Sequence, residues 1–161
     1  MLKRSVVALS LVAIAASPAL AQSPRGKAEV KLEEKAVTID YGRPSLKGRD
    51  MLGKAQVGQS WRMGADAATS LTTEADLSFG EAGVPKGSYV LTAKKLGEDK
   101  WQLTVHESTP ERSVVAEIPL ETVKLEESVE EFTIKLSGEG TAGKLKMMWG
   151  SMALKTAFSA K

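Results

Sequence analysis

The chain has 161 residues, no cysteine and a single histidine, His106. No disulfide can staple it, so its stability has to come from packing. The same shortages remove most transition-metal sites, which draw on several Cys or His ligands. Long apolar runs are missing too. The run of apolar and small residues from Val6 to Ala16 spans 11 positions, about half of the ~20 that a helix needs to cross a bilayer.

That run stands in a telling order. Lys3 and Arg4 precede it, and Ser17-Pro18 and Ala19-Leu20-Ala21 follow. Charged, apolar and small-residue regions in this sequence predict a secretory signal peptide over residues 1–21, and with it an exported chain, periplasmic or extracellular. No cysteine follows the cleavage site, so a lipid anchor has no acceptor, and no transmembrane segment is expected in the mature chain. An excess of one charge is also missing. Removing Lys3 and Arg4 from the 22 basic residues leaves 20 against 20 acidic ones. A neutral domain lacks the basic face that neutralises phosphates, so nucleic acid is not an expected partner.

Helical periodicity is scarce as well. Short runs instead alternate apolar and polar residues between turn signals, the period of half-buried strands. Ala28, Val30 and Leu32 share a face, and after Glu33-Glu34-Lys35 so do Val37, Ile39 and Tyr41, which predicts a hairpin. Tyr89, Leu91 and Ala93 answer Trp101, Leu103 and Val105 across Gly97-Glu98-Asp99, leaving Gln102, Thr104 and His106 outward. Val114–Ile118 and Thr122–Leu125 read as short strands near an edge, because Pro119 interrupts them. Leu145, Met147 and Trp149 run into Gly150-Ser151, a two-residue turn signal, so Met152, Leu154 and Phe158 predict a last hairpin with Trp149 facing Met152. The sum is one all-β domain over residues 22–161, an antiparallel β-sandwich or jelly-roll-like fold of nine to ten strands.

One stretch does not alternate. From Gly42 to Ala67 the chain is punctuated by Pro44, Gly48, Gly53, Gly58 and Gly64. Irregular stretches of this length are uncommon in compact domains and are usually functional or disordered. Met51, Leu52, Val57 and Trp61 argue that this one packs down, with a short helical turn between Lys47 and Lys54. It carries Arg43, Lys47 and Arg49, with Arg62 close behind Trp61. Guanidinium forks suit carboxylates, phosphates and sulfates. If Trp61 orders the loop, Arg43, Arg49 and Arg62 converge on one anion. The competing reading pairs these groups with Asp40, Asp50 and Asp66, tying the loop to the sheet.

The segments YGRPSLKGR at 41–49, WRMGADAATSL at 61–71 and PKGSYVL at 85–91, followed by Trp101 and Trp149-Gly150, resemble the bacterial family known as domain of unknown function 2911. The resemblance covers nearly all of the mature chain. It implies an exported β-rich domain and brings no reaction, cofactor or catalytic residue. Members often carry Asn where this chain has Asp66, so a role there that needs a neutral amide is not carried over.

Other chemistry has less to stand on. His106 sits beside Glu107 on an outward face and reads as a surface histidine. Gly58-Gln59-Ser60-Trp61-Arg62 lacks the closing glycine of a nucleophile elbow. No phosphate loop or EF-hand pattern is present. Tyr41, Tyr89, Trp101 and Trp149 lie on inward faces and read as core, leaving Trp61 as the candidate stacking platform. The expectation is therefore a non-enzymatic exported binding domain for an anionic or polar small molecule, with Arg43, Lys47, Arg49, Trp61, Arg62 and Asp66 as candidate ligand residues and no metal or cofactor. Two alternatives stand beside it. One is a hydrolase of an envelope-derived substrate with Lys47, Asp66 or His106 in acid–base roles. The other is a structural envelope partner that presents an apolar patch or a sheet edge.

Overall fold

The computed structural model describes residues 21–161. The expected signal peptide lies, apart from Ala21, outside the described residues. Ten strands follow in chain order: β1 Arg25–Leu32, β2 Lys35–Gly42, β3 Ser60–Trp61, β4 Ser70–Thr73, β5 Leu77–Phe79, β6 Ala82–Val84, β7 Gly87–Gly97, β8 Lys100–Glu107, β9 Val114–Glu139 and β10 Ala142–Ala160. The all-β reading holds. Every pairing is antiparallel, in one sheet of order β1-β2-β4-β7-β8-β9-β10-β5-β6, with β3 added on β7.

The alternation in the sequence sets the inner face. Val37, Ile39 and Tyr41 of β2, Leu91 and Ala93 of β7, and Trp101, Leu103 and Val105 of β8 are all buried. They meet Phe132, Ile134, Leu145, Met147 and Trp149 from β9 and β10 in one core. The two predicted hairpins form, with Ala28 paired to Ile39 and Ala93 to Leu103.

Three expectations are overturned. Val114–Ile118 and Thr122–Leu125 are not separate edge strands but parts of the 26-residue β9, which lies between β8 and β10. Pro119 is tolerated because it pairs with Gln102 of β8 while lying beyond the last β9–β10 pair, Glu121 with Lys155, so one flank of the strand is already open. Gly150-Ser151 is not a hairpin turn either. β10 runs on through it beside β9, and Gly150, at φ 65°, forms a bulge where the register shifts on both sides. Trp149 and Met152 therefore belong to one strand. The helical turn expected between Lys47 and Lys54 is a series of separate hydrogen-bonded turns, with Arg49 N–H to Leu46 O (3.1 Å) and Ala55 N–H to Leu52 O (3.4 Å).

The sheet curls so that β1 and the residues after β2 come against β9. After Leu120 the strand β9 leaves β8, which exposes the backbone groups on that flank. The residues that follow β2 fill them: Phe132 N–H donates to Pro44 O (2.9 Å), Leu46 N–H to Glu130 O (3.0 Å), and Ser45 bridges Glu131. Buried Tyr41 completes the seam, its hydroxyl accepting from Ile134 N–H at 2.9 Å. At the other side Ala160 N–H donates to Thr141 O (2.8 Å), so the end of β10 returns to its own beginning.

Candidate functional site

The irregular segment after β2 is held at three points. A Cβ on Gly42 would overlap the backbone oxygen of Ala65, so the two motif segments touch backbone to backbone, a contact only glycine allows. Leu52 is buried against the core. Gly58 N–H donates to Lys95 O (2.8 Å), and the two residues of β3 then pair with Lys94 and Ala93 of β7.

This last anchor turns Trp61 inward. Its ring stacks on Trp149 at 5.8 Å with 17° between planes, and meets Trp101 (6.3 Å) and Phe132 (4.9 Å) edge-on. Between these indoles and the loop lies a hollow of about 410 Å³. Trp101 and Trp149, each 3% exposed, form its floor, half-buried Trp61 a wall, and Asp50, Lys54 and Arg62 its charged rim. Trp149 Nε1 donates to Glu130 O (3.2 Å), while Trp101 Nε1 is buried with no partner among the described residues. Arg62 gives one Nη2 hydrogen bond to Asp66 O and keeps the rest of its fork. The hollow thus offers flat apolar surface below and two cations beside one carboxylate above, a setting for a molecule with a ring face and a negative or polar group.

A family model for Protein of unknown function (DUF2911) matches residues 23–158. The chain belongs to this family. No curated protein and no solved structure matches it. The DUF2911 span contains every residue that lines the hollow.

Of the six residues proposed from sequence, Trp61 and Arg62 line the hollow and the other four do not. Arg43 turns to β9, where Nε donates to Phe132 O (3.2 Å), Nη2 to Thr133 Oγ1 (3.0 Å), and Glu131 lies at 3.4 Å. Lys47 and Arg49 are exposed on the turns, Arg49 Nε donating to Leu46 O (3.0 Å). Asp66 accepts from Ser23 N–H (2.8 Å). The expected convergence of Arg43, Arg49 and Arg62 is therefore absent, and so are the ion pairs of the competing reading. Asp40 pairs with Arg25, and Asp50 accepts from Gly53 N–H (2.9 Å). His106 has both ring nitrogens engaged, with Thr92 Oγ1 (2.8 Å) and Arg112 O (3.0 Å), away from the hollow. Sequence reasoning missed Lys54 and the second use of Trp101 and Trp149. Alternation gave their inward direction, but nothing in their spacing says which inward rings end under the loop.

Among the described residues no group of three His, Asp or Glu side chains gathers as a metal site would. No helix is long and apolar enough to cross a membrane.

Proposed function

We propose that this chain is an exported, non-enzymatic binding domain that takes a small molecule with a ring face and an anionic or polar group into the hollow under the loop. The observation that carries the reading is the meeting of Trp61, Trp101 and Trp149 with Arg62 and Lys54 around one open space. Export rests on the signal-peptide order of residues 1–21. The ring of the ligand lies along Trp61, and its charge sits at the rim, where the Arg62 fork provides charge-assisted hydrogen bonds.

Naphthalene-1-sulfonate, a flat apolar ring with one sulfonate, tests this against naphthalene-1-methanol, which keeps the ring and loses the charge. The expected result is saturable quenching of tryptophan fluorescence by the sulfonate, weaker by about tenfold in Arg62→Ala, since a hydrogen bond to a charged group contributes roughly 1.5–3 kcal/mol. Arg49→Ala leaves it unchanged. Equal binding to the Arg62→Ala variant, or no saturation by either probe, overturns the reading.

A further inference from the structure

A second hollow, lined by lysines, lies where β10 returns on itself. The hydrogen bond from Ala160 N–H to Thr141 O closes the curl, so Lys144 and Lys146 at the start of the strand and Lys155 near its end line one space of about 220 Å³. Ser137 and Thr156 add hydroxyls, and Leu145 and Ala157 apolar surface. The one carboxylate there, Glu121, already lies 3.5 Å from Lys155. Three ammonium groups and one carboxylate leave a net charge of +2.

Two features say that this charge is not consumed within the chain. Among the described residues Lys135, Lys144 and Lys146 have no carboxylate within ion-pair distance. Lys135 and Lys146 are also direct cross-strand partners on β9 and β10, an arrangement of like charges that costs stability unless something neutralises it. With equal numbers of acidic and basic residues after position 21, the concentration here is local rather than a reflection of composition.

We infer that this hollow binds a doubly charged oxyanion of the phosphate class, held by the ammonium groups of Lys144, Lys146 and Lys155 with the hydroxyls of Ser137 and Thr156 as further donors. It is separate from the indole-lined hollow, with which it shares no lining residue. The anion is either free phosphate or a phosphate carried on a lipid headgroup.

The test is a titration of the isotope-labelled chain with inorganic phosphate, followed by amide NMR, at ionic strength held constant with potassium chloride. Saturable shifts at Lys144–Lys146 and Lys155–Ala157 are expected. Lys144→Gln/Lys146→Gln should need about tenfold more phosphate, while Lys144→Arg/Lys146→Arg, which keeps the charge and guards against a folding defect, should titrate like the parent. Vesicles of phosphatidylcholine with and without phosphatidate separate the sources: capture by phosphatidate alone, lost in the Gln variant, assigns a lipid-borne phosphate. Linear drift that potassium chloride reproduces, or a Gln variant that titrates and binds vesicles like the parent, overturns the inference.

Discussion

Tyr89 shows how much a single hydroxyl can report. Its ring is buried and its hydroxyl donates to Pro85 O at 2.6 Å, across the turn that opens β7. Burial raises its pKa above the usual 10.0, and the carboxylates of Asp76 and Glu107 push in the same direction. The fold thus holds the neutral phenol and disfavours the phenolate. The resulting stability is complete below about pH 10 and is lost as the pH climbs from there through the raised value, where the folded chain has to release the proton too. In urea titrations, Tyr89→Phe should lie below the parent in stability by a constant amount from about pH 7 to 9, and the gap should narrow above about pH 10. A gap that stays constant to higher pH would show that Tyr89 ionises as readily in the fold as out of it.

At the scale of elements, the seam between the end of β2 and the second half of β9 explains why Arg43, in the segment YGRPSLKGR, does not line the hollow. Arg43 is half-buried there, and its fork satisfies the Phe132 carbonyl and the Thr133 hydroxyl while facing Glu131. Arg43→Ala leaves that carbonyl without its partner. The expected loss is about 1–3 kcal/mol, read as a lower urea midpoint at unchanged slope, whereas Arg49→Ala, on an exposed turn, stays within about 0.5 kcal/mol. Equal losses would contradict the assignment of the seam to Arg43. The contrast also shows what the sequence could convey. Alternation is a local property, so the hairpins β1–β2 and β7–β8 and their inward apolar residues were legible, although Thr104, read as outward, is buried. Which flank of β9 stands open at residues 130–134, and that residues 43–46 fill it, depends on a pairing some ninety positions away and leaves no periodic trace. Pro119 and Gly150 misled for a related reason: each signals a break only if no neighbouring strand runs past it, and both sit where one flank or one bulge absorbs the irregularity.

For the molecule as a whole, one curled sheet builds both hollows, and the curl is closed by the last residues of the chain. Phe158 packs against Phe79 at 5.2 Å and covers Gly143, where any side chain would collide with its ring. Ser159 and Ala160 pair with β5, Ala160 reaches back to Thr141, and Lys161 N–H donates to Asp76 O at 2.9 Å. The β5–β6 hairpin therefore joins the sheet through this end of β10. Neither alternation nor motif reveals such a closure, because the final strand looks like any other half-buried strand until its two ends are seen to meet. Deleting residues 158–161 removes a buried phenylalanine, worth about 3–5 kcal/mol, together with the pairing that holds β5. Against the roughly 5–15 kcal/mol of a typical domain, that is a large share. The truncated chain should melt at least about 10 °C lower, with the amides of Leu77–Phe79 and Thr141–Leu145 losing hydrogen-exchange protection together. If melting moves by only a degree or two, or exchange rises at Leu77–Phe79 alone, the two ends of β10 are not coupled, and the geometry of the lysine hollow does not depend on the closure.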